Sequence, residues 1–260
     1  MAAADLDRGS RTSDRLAHAI GFGRSLVIYF GQPWRTRALA RHYAEFLGPG
    51  DLAFDVGAHV GNHSRSFARL GARVVAIEPQ PAFAAWLRRL FRDQPRITVV
   101  ESALAAAPGV VGLYRSPRTP TVATTSPKWI DQVRASGGFK GVRWSEAIEV
   151  PALTLDALIA RHGLPRFCKI DVEGYEAEVL RGLTQPIPAL SFECLPAATD
   201  VARLAVALLA GLGPYRCNVT RGERRRFLWP EWRSLAELDA WLAARRPDEP
   251  SGDVYARLER

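Results

Sequence analysis

Strands and helices alternate along most of the chain after residue 50, and this alternation limits the possible folds more than any other feature of the sequence. Short apolar runs indicate buried strands, and the amphipathic segments between them indicate helices. Elements in this order form parallel βαβ units, which bring the carboxyl ends of the strands to one edge of a sheet. The predicted strands lie at 52–56, 73–79, 96–105, 110–116, 147–154, 165–174, 189–195, 215–220 and 224–230. The predicted helices lie at 37–48, 63–71, 81–93, 155–163, 175–183, 199–213 and 234–246.

These elements predict an α/β fold with one doubly wound, mostly parallel sheet and an antiparallel edge. The edge is predicted as a hairpin of the strands at 215–220 and 224–230. Residues 51–260 would form this domain, after a helical N-terminal extension at 1–50. Residues 116–146, here called the insert, are rich in Thr, Ser, Pro and Gly and are too long for an ordinary connection. The insert is either a lid or substrate-binding wall, or it is disordered.

Composition indicates a globular protein, since 47% of the 260 residues are hydrophobic and 24% are charged. No apolar run is long enough for a membrane helix, and early aspartates argue against a targeting peptide. We therefore expect a cytoplasmic enzyme with no membrane partner. The cysteines are odd in number, widely spaced and set in apolar runs, which predicts free thiols rather than disulfides or a zinc site. They are Cys168, Cys194 and Cys217.

The chain carries 35 basic and 27 acidic residues, a net charge of +8, and nearly all of the basic residues are arginine. An excess of positive charge can bind an anionic partner such as RNA. The arginines are spread along the chain, however, and only RGERRRF at 221–227 is a dense cluster. This cluster is either an anion-binding segment or a solvated hairpin, and we do not expect nucleic acid as the partner.

The segment FDVGAHVGNHS, residues 54–64, joins the first predicted strand to a helix through a turn that contains two glycines. A dinucleotide site needs G-x-G-x-x-G and a P-loop needs Gly-Lys-Ser/Thr, and neither pattern is present. The pattern that fits is acid-x-Gly-x-x-x-Gly, formed by Asp55, Gly57 and Gly61. We expect Gly57 to let the backbone approach a ligand and Gly61 to pack the helix start against the strand. His59 is tolerated there because histidine visits left-handed backbone conformations.

Carboxylates at adjacent strand ends indicate which ligand this turn binds. Asp55 would repel a pyrophosphate and attract an ammonium group. Glu78 ends the second strand, where a carboxylate binds ribose hydroxyls, and Ser102 ends the third, near an adenine edge. A nucleoside that carries a cation is S-adenosylmethionine (SAM). The predicted cofactor site is therefore Asp55, Gly57, His59, Gly61, Glu78 and Ser102.

A second cluster of charged residues follows the strand that ends in CKIDVEG. Strand periodicity places Lys169, Asp171 and Glu173 on one face, and Glu193 ends the next predicted strand. If the two strands are neighbours, the like charges raise the pKa of at least one carboxyl group, as a general base requires. Three roles stay open for Asp171 and Glu173: a general base with Lys169 as its charge partner, ligands of Mg²⁺ together with Glu193, or caps of the turn at Gly174. The metal is the least favoured of the three.

Four segments, DLAFDVGAHVG, AIEP, LTLDALI and KIDVEGYEAEVLRGL, together resemble the FkbM family of SAM-dependent methyltransferases. The resemblance covers the chain from residue 50 to residue 195. It implies the class I SAM-methyltransferase (Rossmann-like) fold, SAM as cofactor and S-adenosylhomocysteine as product. It also implies, most often, methylation of a hydroxyl on a sugar or secondary metabolite. Position 59, commonly Asn in such sequences, is His here, so contacts with the cofactor are expected to differ.

Three functions compete. The first is a small-molecule O-methyltransferase that works by in-line transfer, the second an RNA ribose methyltransferase, and the third a non-catalytic SAM-binding module. Enzymes that methylate nitrogen usually carry an N/D-P-P-Y-like strand end, and here that position reads DVEG at 171–174. We favour the first function, with Asp171 or Glu173 as the base and His63 as a further candidate.

Overall fold

The computed structural model describes residues 20, 21, 23, 33–222 and 224–259, with the backbone alone at 33–35. Most of the predicted N-terminal extension therefore lies outside the described residues. The helices used below are α1 (Pro33–Tyr43), α2 (Asn62–Arg69), α3 (Pro81–Leu90), α4 (Pro127–Ala135), α5 (Leu155–His162), α6 (Glu176–Arg181), α7 (Thr199–Leu212) and α8 (Leu235–Ala243). The strands are β1 (Leu52–Val56), β2 (Arg73–Ile77), β3 (Ile97–Val100), β4 (Ala103–Leu104), β5 (Gly109–Arg115), β6 (Glu146–Leu153), β7 (Phe167–Ile170), β8 (Ala189–Cys194), β9 (Tyr215–Val219), β10 (Arg233–Ser234) and β11 (Gly252–Leu258).

The central sheet of the described chain has eight strands in the order β10-β9-β11-β8-β7-β1-β2-β3. The five strands from β8 to β3 run parallel to one another, and β11 lies antiparallel between β8 and β9. All five residues of β1 are buried, as expected for a central strand covered by helices on both faces. The predicted α/β fold with a mostly parallel, doubly wound sheet is confirmed.

The period-two alternation of the strands divides the core between the two faces of this sheet. In β7, Cys168 and Ile170 belong to the apolar cluster formed with α5, α6, α7 and α8. Phe167 belongs to the cluster on the other face, with Tyr43 of α1 and Phe67 of α2. Full burial of such a side chain contributes about 1.5–3 kcal/mol. The next residue on the α1 and α2 face is Lys169, so this face changes from apolar to charged at the carboxyl end of the sheet.

The predicted edge hairpin is wrong. Residues 224–230 form no strand, and among the described residues β9 pairs with β11 and β10 instead. Side chains hold the segment as a loop, because Phe227 packs on Tyr255 and Trp229 on Trp241, with ring centroids 5.2 and 5.6 Å apart. The place predicted for this segment beside β9 is taken by β11, which comes from much later in the chain.

A second sheet, with three strands in the order β4-β6-β5, was not predicted. The run at 96–105, predicted as one strand, divides so that β3 joins the central sheet and β4 the small one. Between β5 and β6 the insert folds into a 3-10 turn, Pro120–Val122, and helix α4. The hydroxyl of Ser126 caps α4 by accepting a hydrogen bond from the backbone N–H of Trp129 (3.2 Å). Disorder, one of the two alternatives for the insert, is therefore wrong.

The three cysteines are buried free thiols, as predicted. Burial raises the pKa of each thiol, which makes all three poor nucleophiles. Within the part of the chain that the structure describes, no helix has the length and apolar character that crossing a membrane requires.

Candidate active site at the carboxyl edge of the sheet

The turn after β1 passes so close to the end of β7 that it requires glycine. Gly57 has a φ of +80°, and its N–H donates to the carbonyl of Ile77 (3.0 Å). A Cβ at this position would lie 1.8 Å from the carbonyl oxygen of Asp171. The predicted close approach at Gly57 is therefore an approach to the chain's own backbone, and this alone explains the glycine.

The rest of the turn packs against α3. His59 has a φ of +48°, and its imidazole lies 4.4 Å from the ring of Phe83. Burial lowers the pKa of His59 to about 4, against a smaller opposing effect of Asp171, so the imidazole is neutral at physiological pH. A Cβ at Gly61 would lie 2.8 Å from side-chain atoms of Leu87 and Phe91. The nearest neighbours of Gly61 are therefore side chains in and just after α3, and the packing of the helix start against the strand stays a prediction.

Glu78 connects the turn to the end of β2. Its Oε2 accepts a hydrogen bond from the backbone N–H of His59 (2.8 Å), and its Oε1 accepts one from that of Gln80 (2.9 Å). The side chain is buried, and burial raises the pKa of Glu78 to about 7 despite these hydrogen bonds. Each carboxylate oxygen retains a second lone pair, so the group can still accept hydrogen bonds from two hydroxyls of a ligand.

Asp55 lies behind the turn, on the α1 and α2 face of the sheet, and does not line the cleft in front of it. Its Oδ2 accepts a hydrogen bond from Ser64 (2.5 Å), while its Oδ1 is buried with no hydrogen-bond partner among the described residues. Burial raises the pKa of Asp55, and the nearby charge of Lys169 and the Ser64 hydroxyl oppose the shift. The free acceptor suits a cationic donor, but an ammonium group reaches it only if neighbouring side chains move.

One cleft joins the predicted cofactor residues to the predicted catalytic ones. It spans about 550 Å³ when the open space at its mouth is included. Apolar walls come from β1, β2, β4 and β5, and polar groups come from Glu78, Ser102, Asp171 and Glu173. The Ser102 hydroxyl lies 2.8 and 2.9 Å from the carbonyls of Ala103 and Pro151, so its proton is committed to the backbone. Ser102 can therefore meet a ligand only as a hydrogen-bond acceptor.

The charged cluster forms because β7 and β8 are neighbours, as the prediction required. The registers pair Lys169 with Asp55 on one side and with Ser191 on the other. The Lys169 ammonium donates to Asp171 Oδ2 (2.6 Å), and the lysine side chain is only 4% exposed while that of Asp171 is 36% exposed. A buried cation thus holds a carboxylate that faces the cleft.

The charges in this cluster shift one another's pKa values. Burial alone would lower the pKa of Lys169, but the carboxylates of Asp171, Asp253 and Asp55 outweigh burial and raise it, so the ammonium stays protonated. Burial and the charge of Asp171 raise the pKa of Glu173 well above its usual value. Burial and the neighbouring carboxylates, Glu173 first, do the same to the pKa of Glu193.

The same carboxylates are close enough to bind a cation. Carboxylate oxygens of Asp171, Glu173 and Glu193 all lie within 4.8 Å of one another. Oxygen ligands of this kind suit Mg²⁺, although the Lys169 ammonium already neutralises Asp171. The cluster therefore has the geometry of the predicted metal alternative, and a resident cation stays a prediction.

The turn after β7 is capped by Glu176 and covered by the insert. Glu176 Oε1 accepts hydrogen bonds from the backbone N–H groups of Val172 and Gly174 (both 3.2 Å), and burial raises its pKa to about 7. A Cβ at Gly174 would lie 2.1 Å from Trp129 of α4. The cap of this turn is therefore Glu176, which frees the side chains of Asp171 and Glu173 to face other groups.

Several residues around the cleft were not predicted. Thr121, Ala123 and Thr125 of the insert line it, and the Gln80 amide donates to the carbonyl of Pro120 (3.2 Å). Asp253 of β11 raises the pKa of Lys169 and was missed because β11 itself was missed. Gln80 carried a signal, since it follows Glu78 and Pro79 directly at the strand end. The insert residues carried none, because their positions depend on how that segment folds.

The doubly wound sheet, with a cleft at its carboxyl edge that combines a glycine turn, a buried strand-end carboxylate and a charged cluster, is that of a class I SAM-dependent methyltransferase. The family model for the methyltransferase FkbM domain matches residues 55–246. The chain belongs to this family. The predictions of fold class, family and SAM-dependent methyl transfer are thereby confirmed.

Two characterised relatives are similar in sequence. Hexuronic acid methyltransferase AglP of Haloferax volcanii is 25% identical over 197 residues, which cover 72% of this chain and 75% of that protein. The 31-O-demethyl-FK506 methyltransferase FkbM of Streptomyces tacrolimicus is 29% identical over 190 residues, which cover 65% of this chain and 72% of that protein. Among solved structures, the O-methyltransferase from Bacillus cereus in complex with S-adenosylhomocysteine aligns with a TM-score of 0.47 at 10% identity. That alignment covers 95% of this chain and 91% of the other.

Proposed function

We propose that this methyltransferase transfers the methyl group of SAM to a hydroxyl oxygen of a small molecule, a sugar or a secondary metabolite. The observation that carries the proposal is that Glu78 and Asp171 line the same cleft, so a nucleoside site and a candidate base face one bound molecule. The names of the two relatives support the acceptor class. By their names, one acts on a hexuronic acid and the other on 31-O-demethyl-FK506.

The cleft residues fit SAM in three parts. Glu78 would accept hydrogen bonds from the ribose hydroxyls, and the apolar walls with Ser102 would enclose the adenine. The Asp171 carboxylate would face the sulfonium of the molecule. When bound, SAM supplies a methyl carbon that is already strongly electrophilic, so the protein's main task is alignment of the acceptor oxygen.

Asp171 is the better candidate for the general base. It faces the cleft and is held by the Lys169 ammonium, which fixes its orientation. Burial and the charge of Asp171 raise the pKa of Glu173 well above its usual value, so Glu173 is protonated over a wider pH range than an ordinary glutamate. In the transfer, the acceptor O–C bond forms as the C–S bond breaks, and the hydroxyl proton passes to Asp171. A base in this position typically contributes about 10²–10⁴-fold.

Asp171→Asn tests this role, with Glu173→Gln as the matched variant from the same turn. We expect Asp171→Asn to lower kcat by about 10²-fold or more while the dissociation constant of S-adenosylhomocysteine stays within about twofold. Glu173→Gln should lower kcat much less, because Glu173 is not the proposed base and the amide keeps the size of its side chain. Full activity of Asp171→Asn would remove it as the base.

A divalent cation at Asp171, Glu173 and Glu193 is the alternative use of the cluster, since it would lower the pKa of the acceptor hydroxyl. We propose that the cation is dispensable, because Lys169 already supplies a fixed positive charge at Asp171. Turnover should then be unchanged after dialysis against EDTA. Loss of turnover that added Mg²⁺ restores would favour the metal instead.

A further inference from the structure

A second cavity lies on the α1 and α2 face of the sheet, outside the cofactor cleft. It has a volume of about 730 Å³ including its mouth. Its walls come from α1, the first turn of α2, the end of β9 with the loop that follows, and β11. Nothing in the cofactor assignment uses this space.

The cavity and the cofactor cleft share a wall of charged residues. The register between β11 and β8 places Asp253, which lines the cavity, opposite Glu193. The register between β8 and β7 pairs Ser191 with Lys169, so Glu193 stands beside Asp171, which lines the cleft. Asp171, Glu193 and Asp253 therefore form one row across three adjacent strands. The row thus links Asp253, which lines the cavity, to Asp171, which lines the cleft.

The mouth of the cavity is cationic. Arg224 and Arg225, from the arginine cluster at 221–227, line it. Among the described residues, no carboxylate forms a salt bridge with either arginine. Burial lowers the pKa of His42 to about 4 and that of His63 well below its usual value. The positive charge of Arg225 adds to both shifts. Both imidazoles are therefore neutral and leave the arginines as the cations that face a ligand.

The interior offers hydrogen-bonding groups suited to hydroxyls. His63 Nδ1 lies 2.9 Å from the Tyr43 hydroxyl, and both residues line the cavity. His42 Nε2 is buried and has no hydrogen-bond partner among the described residues. Burial raises the pKa of Asp253 to about 6, against the opposing charge of Lys169, so it is largely ionised at neutral pH and can accept a hydroxyl hydrogen bond.

We infer that this cavity binds the methyl acceptor, and that the acceptor is a hydroxylated small molecule bearing an anionic group, a carboxylate or a phosphate, held by Arg224 and Arg225. Guanidinium groups bind both anions through paired hydrogen bonds. With the anion fixed at the mouth, the hydroxyl end of the molecule extends inward to the row that includes Asp171. The inference rests on the proposed function, because it identifies the second substrate of the same transfer.

Saturation-transfer NMR on the protein saturated with S-adenosylhomocysteine tests the inference. The probes are D-glucuronate, glucose 6-phosphate and the neutral control D-glucose. We expect one or both anions to receive saturation and to bind at least about tenfold more tightly than glucose. Glucose has no anionic group, so it cannot form the charge-assisted hydrogen bonds with the two arginines. The double variant Arg224→Ala, Arg225→Ala should remove this preference. Arg226→Ala, an exposed neighbour outside the cavity, should keep it.

The response to the two anions shows whether the site takes a carboxylate or a phosphate. Equal binding of glucose and the anions, no binding of either anion, or an unchanged preference in the double variant would overturn the inference. Circular dichroism of the double variant should match the wild type, since Arg224 is exposed, Arg225 is only partly buried, and neither belongs to an apolar cluster. If S-adenosylhomocysteine itself fails to bind, the proposed function falls. If it binds and the anions do not, the acceptor inference alone falls.

Discussion

At the scale of single residues, Glu78 shows how burial adjusts a binding group. Its carboxylate ties the glycine turn to the end of β2 through two backbone hydrogen bonds, and its pKa is raised to about 7. The ligand-free protein therefore holds a mixture of protonated and ionised Glu78 near neutral pH. Only the ionised form can accept hydrogen bonds from both ribose hydroxyls through both of its oxygens.

This makes cofactor affinity depend on pH. Ribose hydroxyls favour the carboxylate, so binding lowers the pKa of Glu78 and releases a proton. The affinity for S-adenosylhomocysteine should rise as pH increases from 6 to 8 and level off above the pKa of about 7. Glu78→Gln should bind more weakly and lose this part of the pH dependence. Calorimetry across this range measures both effects, and identical pH profiles for the two proteins would contradict the assignment.

Gly57 and Gly50 share a left-handed backbone conformation but differ in what surrounds them. A Cβ there meets the Asp171 carbonyl, whereas a Cβ at Gly50, which has a φ of +86°, would have no neighbouring atom within 4 Å. Gly50→Ala should therefore destabilise the protein only by the backbone strain of about 1–2 kcal/mol. Gly57→Ala should destabilise it more, and should also weaken cofactor binding because the end of β7 is displaced. Denaturant unfolding measures the free energy of unfolding of both variants. Equal decreases in that free energy would show that the clash at Gly57 is relieved without cost.

At the scale of elements, the insert forms part of the site. Trp129 of α4 is buried over Gly174, and the Thr124 hydroxyl donates to the backbone carbonyl of Glu173 (2.5 Å). The insert therefore holds the turn that carries Asp171 and Glu173. We propose that it also forms one wall of the cofactor site, since three of its residues line the cleft.

Removing the Trp129 side chain tests this support. Trp129→Ala should lower the free energy of unfolding by about 3–5 kcal/mol, because it leaves a cavity under α4. It should also weaken binding of S-adenosylhomocysteine, since the turn below α4 loosens. Lys140→Ala, an exposed change in the same segment, is the control and should alter neither quantity. Weaker stability with unchanged cofactor affinity would mean that the insert does not shape the cleft.

The sequence predicted the elements whose signals are local. Each strand from β1 to β3 and each helix from α5 to α7 has its own apolar pattern and capping or glycine signals, and each was found near its predicted position. The strand β11 was missed because its pairing with β8 and β9 depends on residues far away in the chain. The segment 224–230 was wrongly predicted as a strand because it contains aromatic residues, which are common in strands. In the structure these aromatic side chains pack on other elements and hold the segment as a loop.

The residues of the site likewise fall into those with a local sequence signal and those whose positions depend on the tertiary fold. Gly57, Glu78, Lys169 and Asp171 lie at or directly after strand ends, so strand periodicity places them at one edge of the sheet. The orientation of Asp55 away from the cleft could not be predicted, because it depends on Ser64 and Lys169 meeting it from two other elements. Asp253 and the insert residues depend on the tertiary fold alone.

At the scale of the whole molecule, part of the positive charge is engaged in ion pairs with carboxylates. Several arginines are paired with carboxylates, among them Arg115 with Glu146 and Arg203 with Asp239. We therefore expect weak RNA binding whose affinity changes little with salt, because few phosphates would be neutralised. Fluorescence anisotropy with a labelled single-stranded RNA at several salt concentrations measures this. A steep decrease of log affinity with log salt would revive the RNA alternative.

The most direct test of the cofactor site is a crystal structure of the protein with S-adenosylhomocysteine. The nucleoside should lie in the cleft between β2 and β7, with its ribose hydroxyls about 2.5–3.0 Å from the Glu78 carboxylate oxygens. Its sulfur should face Asp171. A ligand bound elsewhere, or a Glu78 side chain that makes no contact with the ribose, would contradict the assignment of this cleft.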